Sequence, residues 1–198
     1  MCGFVGVISP AVPIRDDLLS AMRDRLVHRG PDNGSNWIRN GGRVGLAHRR
    51  LSIIDVSHSA DQPMATADGA LRIAFNGEIY NYLELKSELI GLGHVFQTRS
   101  DTEVLLAAFR QWGEAALLRL NGMFAFAVWD ERSRRMFVAR DRFGEKPLFV
   151  GQGRFNTVLF ASEMKAILVH PLIRCVVSER ALDRFGSATW YEDDELTF

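Results

Sequence analysis

The apolar residues of this chain fall into short blocks whose spacing switches between the strand and helix periods, with glycine, proline and polar clusters between them. The opening run Cys2-Gly3-Phe4-Val5-Gly6-Val7-Ile8 predicts a strand, and Pro10 and Pro13 punctuate the turn after it. Leu18, Leu19, Met22 and Leu26 then recur at helical spacing. His28-Arg29-Gly30-Pro31-Asp32 reads as a loop, and short strands are predicted over residues 36–39, 43–47, 51–54 and 71–75. Helices follow over 83–92 and 102–112, the second opening with a capping box of Ser100 and Glu103. Residues 123–129 and 136–139, joined by a polar segment, predict a hairpin whose first strand is apolar on both faces and must be covered on both sides. Strands over 148–151 and 158–161 and a helix over 163–169 come next, and from Ser178 onward the chain reads as a helix and then an acidic stretch.

No internal repeat interrupts this alternation. Two sheets with helices outside them satisfy the burial demands in a four-layer α/β (α+β) arrangement, although the pattern alone also admits other α+β folds. With 198 residues and 47% hydrophobic content, one well-filled core and a single domain over 1–198 are expected. Lys+Arg and Asp+Glu number 24 each, so no net charge favours nucleic acid or an anionic membrane. The two cysteines, Cys2 and Cys175, and the lack of a signal-like N-terminus or a bilayer-length apolar run point to a reducing cytoplasm. Cys175, beside Val176 and Val177, is expected in the core. The five histidines show no metal-ligand spacing, and no dinucleotide or phosphate-loop fingerprint occurs, so no metal or cofactor is expected.

Cys2 carries the most chemistry. Once Met1 is removed, a thiol and a free α-amine share one residue, and an amine titrating near ~7.7–8.0 is able to take the thiol proton at neutral pH. The bland alternative is a small buried hydrophobe at a strand start. Asn76-Gly77 follows a strand, and a side-chain amide and a backbone N–H projecting together from a turn there would serve an anionic tetrahedral intermediate; a plain turn is the alternative. Glu78 beside such a site needs a cation to face, for which a substrate ammonium is suited. Arg50 offers a planar fork for a carboxylate, or is a surface arginine at a strand end. Asp101 sits in the first turn of a helix, where the dipole favours a carboxylate whatever its role. One cation and two anions complement an α-amino acid zwitterion whose amide side chain Cys2 would attack.

These motifs together resemble the N-terminal glutaminase domain of the class II, N-terminal nucleophile glutamine amidotransferases, and among them the asparagine synthetase branch. The likeness runs through Met1-Cys2-Gly3, His28-Arg29-Gly30-Pro31-Asp32, Ala47-His48-Arg49-Arg50-Leu51-Ser52-Ile53-Ile54-Asp55, Phe75-Asn76-Gly77-Glu78-Ile79-Tyr80-Asn81, Ser100-Asp101-Thr102-Glu103, Asn121-Gly122-Met123-Phe124-Ala125-Phe126, Arg140-Asp141-Arg142-Phe143-Gly144 and Ala161-Ser162-Glu163-Met164-Lys165-Ala166. The resemblance implies an αββα sandwich of two mainly antiparallel sheets in which processed Cys2 attacks L-glutamine. It implies Asn76 and the Gly77 N–H as the oxyanion hole, Arg50 on the α-carboxylate, Glu78 and Asp101 on the α-ammonium, and the backbone of Leu51, Ser52, Ile53 and Ile54 along the pocket.

Asparagine synthetases continue into an ATP-pyrophosphatase domain with a Ser-Gly-Gly-x-Asp-Ser loop, which does not occur before Phe198. The chain is therefore expected to be an amidotransferase domain whose segment 178–198 is the junction to a synthetase partner in cis or in trans. ATP and Mg belong to that partner, and there is room for a homodimer. A catalytically silent glutamine-binding or scaffolding module is the alternative reading.

Overall fold

The computed structural model of the protein describes residues 2–39 and 41–176. The helix and acidic stretch expected from Ser178 onward lie outside these residues. In chain order the described elements are β1 (Gly3–Ile8), α1 (Asp16–Asp24), β2 (Asn33–Ile38), β3 (Val44–Arg50), β4 (Met64–Ala65), β5 (Leu71–Ile79), α2 (Tyr82–Gly91), α3 (Asp101–Trp112), β6 (Gly122–Asp130), β7 (Arg135–Arg140), β8 (Phe149–Gln152), β9 (Val158–Ala161) and α4 (Met164–Ile167), joined in places by short 3-10 turns. They form two antiparallel sheets, of order β2-β3-β1-β9-β8 and β4-β5-β6-β7.

Alternation along the strands divides the interior into three apolar layers. Val5, Val7 and Ala47 face α1 and α4 through Leu19, Met22, Ala166 and Ile167. Ile73, Phe75, Phe126 and Val128 face α2 and α3 through Leu85, Leu89, Val104 and Leu105. Between the sheets, Phe4, Leu46 and Phe160 of the first oppose Ala74, Ala125 and Ala127 of the second. Large residues against small ones let the two sheets interlock at interior density. The expected αββα sandwich is present, and β6 is buried on both faces as its composition requires.

Three sequence expectations are corrected. No strand forms at 51–54, because β3 runs out of partners at Arg50: β2 ends opposite it at Asn33, and the β1 register reaches Gly3 opposite Arg49. Strand β5 does not stop at Phe75 but continues to Ile79, since β6 pairs with it as far as Gly122. Cys175 is exposed rather than in the core. The capping box is also altered. Ser100 Oγ accepts the Thr102 N–H at 3.1 Å, but the Glu103 carboxylate reaches past Ser100 to the N–H groups of Gln97 and Thr98 at 2.9 and 2.7 Å.

The inter-sheet fit has a sensitive point at Gly6, where an added Cβ would lie 1.9 Å from the Phe160 ring. Gly6→Ala is expected to cost about 1–3 kcal/mol in chemical denaturation through overpacking. Gly91→Ala, at a helical site with open space around it, is expected to be neutral or to stabilise by up to about 1 kcal/mol.

Candidate active site

The inner faces of the sheets bring the chemistry together at one end of the sandwich. On β3, Leu46, His48 and Arg50 share the inward face by alternation, and continuing the β1 register sets Cys2 opposite Arg50. On β5, Asn76 shares the inward face with Ala74. A cavity there is lined by Cys2, Arg50, Leu51, Ile53, Ile54, Asn76, Gly77, Glu78 and Asp101, joined by Asp55, Ala60, Gln62, Phe75, Ser100, Thr102 and Lys146. Of the residues singled out in the sequence, only Ser52 is not on this wall; its N–H is turned to the Asp32 carboxylate at 2.8 Å.

The Cys2 thiol sits against the first peptide beyond β3. The Leu51 N–H donates to Sγ at 3.3 Å, and Sγ lies 3.6 Å from the Leu51 carbonyl oxygen. Burial raises the thiol pKa, with the Leu51 N–H pulling the other way. The resting thiol is therefore protonated at neutral pH, and to act as a nucleophile it would need a base to take that proton. No histidine is among the described residues lining the cavity. With Met1 attached, the nitrogen of residue 2 is an amide and no base; removal of Met1 turns it into one.

Asn76 and Gly77 do not form a turn. They lie within β5, and the pairing with β6 uses the backbone groups of alternate residues, so that the N–H groups of Phe75, Gly77 and Ile79 face the other edge. Gly77 is required there, because a Cβ would stand 2.3 Å from Met123 O and 2.8 Å from Phe124 Cα. Asn76 is 1% exposed, yet neither its Nδ2 nor its Oδ1 has a hydrogen-bond partner among the described residues. A buried amide left unpaired costs stability of order 1–3 kcal/mol, which points to a group that finds its partner in a ligand.

The charged groups are held firmly. Arg50 Nη1 donates to Ser57 O at 2.7 Å and to Asp61 Oδ1 at 2.6 Å, and Nη2 donates to Asp55 O. The loop over 51–61 thus wraps the guanidinium, and Nε–H and one Nη2–H have no hydrogen-bond partner among the described residues. Asp101 is buried at the start of α3, where Oδ2 accepts the Ile79 N–H at 3.1 Å. Burial chiefly, with the nearby Glu78 charge adding to it, lifts its pKa to about 6 against the backbone N–H bonds from Ile79 and Thr102. Two carboxylates at one wall invite a cation.

Comparison with known proteins fits this geometry. Residues 1–198 match the glutamine amidotransferase domain family. The chain belongs to that family. It is 46% identical over 173 residues to a glutamine-hydrolysing asparagine synthetase of Bacillus subtilis, covering 85% of this chain and 27% of the relative. A putative glutamine-hydrolysing asparagine synthetase of Mycobacterium tuberculosis is 43% identical over 183 residues, 85% of this chain and 28% of the relative. The chain thus spans little more than a quarter of the length of these relatives. Its fold is similar to that of the glutamine phosphoribosylpyrophosphate amidotransferase of B. subtilis, with a TM-score of 0.73 at 24% identity over 85% of this chain and 43% of that one.

Gln62 and Lys146 were not legible as site residues. Both come from irregular segments, Asp61-Gln62-Pro63 and Gly144-Glu145-Lys146-Pro147, where no periodicity gives a side chain a direction. The strand extension was legible in principle, since Ile73, Phe75 and Ile79 keep the period of two across Gly77.

The Asp101 titration has a sign. A folded pKa raised above the ordinary value of 3.8 contributes stability below pH 4 that is lost as pH rises through about 6. Asp101→Asn is therefore expected to be more stable than the unsubstituted protein above pH 6, by on the order of 2 kcal/mol in denaturant melts, with the gain vanishing toward pH 4. A pH-independent difference would contradict the buried, raised carboxyl.

Proposed function

We propose that this domain hydrolyses L-glutamine to glutamate and ammonia through a Cys2 thioester, and that the ammonia passes to an ATP-dependent synthetase domain of the asparagine synthetase type, in cis or in trans. The observation that carries this reading is the buried Asn76 amide, without a hydrogen-bond partner among the described residues, on the wall that Cys2 and Gly77 also line. Arg50 takes the substrate α-carboxylate through its remaining donors, and Glu78 and Asp101 take the α-ammonium. The side-chain carbonyl of glutamine then lies between Sγ and the two donors on β5.

With Met1 removed, the α-amine accepts the thiol proton as Sγ bonds to the amide carbon. The carbonyl oxygen becomes an oxyanion held by Asn76 Nδ2 and the Gly77 N–H, which strengthen as charge develops. The resulting α-ammonium donates its proton to the leaving nitrogen, the C–N bond breaks, and ammonia departs. Water, deprotonated by the same amine, attacks the thioester; the C–S bond breaks, the thiolate regains the proton and glutamate leaves. The synthetase domain, ATP and Mg are no part of this half-reaction.

The domain with residue 2 as its N-terminus is expected to release ammonia from glutamine, and Cys2→Ala to abolish the release. Asn76→Ala is expected to lower kcat by ~10²–10³ while glutamine affinity stays close to that of the unsubstituted protein and Tm does not fall. A stable Asn76→Ala protein with full turnover would refute the oxyanion role, and a parallel loss of Tm, binding and turnover would reduce Asn76 to a structural residue.

A further inference from the structure

Strand β5 has a neighbour on its second edge only where Met64 pairs with Ile73 and Ala65 with Arg72. Beyond that point the edge carries the N–H and C=O groups of Phe75, Gly77 and Ile79. A bare edge satisfies such groups with water or with another chain. Here side chains from three separate elements take the place of a strand. Gln62, in the loop before β4, accepts the Phe75 N–H on Oε1 at 2.7 Å. His48, on β3 of the opposite sheet, donates from Nε2 to the Phe75 carbonyl oxygen at 2.9 Å. Asp101 takes the Ile79 N–H. The Gly77 N–H is left between them, on the cavity.

We propose that His48 and Gln62 are positioning residues that hold the Phe75–Asn76 peptide in one orientation and so aim the Asn76 amide and the Gly77 N–H at the reacting carbonyl. The inference rests on the glutaminase reading given above. The Phe75 carbonyl and the Asn76 nitrogen belong to one planar unit, so the bond from His48 fixes the rotation of that plane, from which the Asn76 Cα hangs. The bond from Gln62 fixes the plane before it. Gln62 is anchored at its other end as well, with Nε2 donating to Thr102 Oγ1 at 3.1 Å in the turn that carries Asp101. One buried amide thereby ties the oxyanion donors to the ammonium acceptor.

His48 ties the same donors to the nucleophile. It lies opposite Phe4 in the β1–β3 register and two residues from Arg50, on the strand pair that carries Cys2. Its bond to a carbonyl demands a proton on Nε2. Burial keeps the ring neutral, with a pKa lowered to about 4. Nδ1 is then a buried acceptor with no partner among the described residues. An apolar side chain would carry no such cost, so the histidine is explained by the bond it makes across the sandwich rather than by filling space.

The test compares His48→Leu, which deletes the donor, His48→Gln, which places an amide N–H where Nε2 stood, and Gln62→Leu, which deletes the acceptor from a different element. The two leucine variants are expected to lose kcat roughly 10- to 100-fold, as reacting groups displaced by about an ångström do, with KM unchanged in His48→Leu and raised in Gln62→Leu, which also frees Thr102 beside Asp101. His48→Gln is expected to keep most of the turnover. Alkylation of Cys2 by iodoacetamide, which needs the thiol but no oxyanion donor, should proceed at one rate in all of them. Leucine variants that fold and turn over at the full rate overturn the proposal, as does a loss shared equally by His48→Gln. A second readout needs no turnover: the Gly77 backbone and Asn76 side-chain amide NMR signals shift in the leucine variants and hold in His48→Gln. Unmoved signals overturn the positioning role whether or not glutamine is hydrolysed. An unsubstituted protein that releases no more ammonia than Cys2→Ala overturns the glutaminase reading instead, and the amide signals still decide the positioning.

Discussion

The site depends on a strand that loses its neighbour halfway along. Strand β5 is paired with β6 over its whole length, but β4 covers its other edge only at Arg72 and Ile73. Every backbone group beyond must find a partner or remain exposed in a largely buried place. Gln62, His48 and Asp101 supply three of those partners, and a cavity is left where Gly77 presents its N–H. A continuous sheet would have consumed that donor. An uncovered edge would have let water compete for it.

The end of β3 adds a second interruption of the same kind. Because β1 and β2 both stop pairing at its last residues, the chain turns out at Leu51 and folds back around Arg50. This turn places the Leu51 peptide on the Cys2 sulfur and holds the guanidinium beside Asp61. Burial then shapes the chemistry in two ways. It keeps the thiol protonated at neutral pH, and it lifts Asp101 to about 6, where a nearby positive charge would favour the ionised form. Both effects follow from taking ionisable groups out of water, Cys2 at the end of the inter-sheet layer and Asp101 where α3 begins against the edge of β5.

Much of this was readable in the sequence, for a physical reason. Strands buried on one or both faces and helices with one apolar stripe leave periodic signals, which is why β1, α1, β6, β7, β9 and α3 fall close to where the pattern predicts them. Nearly all the candidate site residues converge because they occupy strand ends and helix starts, whose place follows from the elements themselves. What was hidden depends on pairing between distant segments. The missing strand at 51–54 is apolar enough to be one, with Ile53 at 61% exposed, and lacks only a partner. The extension of β5 through Asn76 and Gly77 was masked by a dipeptide more often found in turns, and is imposed by β6. Gln62, whose two side-chain hydrogen bonds run to Phe75 and Thr102, carries no local sign of either.

The proposed reaction requires that the sulfur of residue 2, and no other group, form a bond to the side-chain carbonyl of glutamine at the open edge of β5. Rapid acid quenching of the processed domain during turnover, followed by peptide mass analysis, measures this directly. A γ-glutamyl group is expected on the peptide that begins at Cys2 and none on the peptide containing Cys175, with the adduct absent in Cys2→Ala. Glutamate formed at full rate with the acyl group on another residue, or with Cys2→Ala still active, would contradict it.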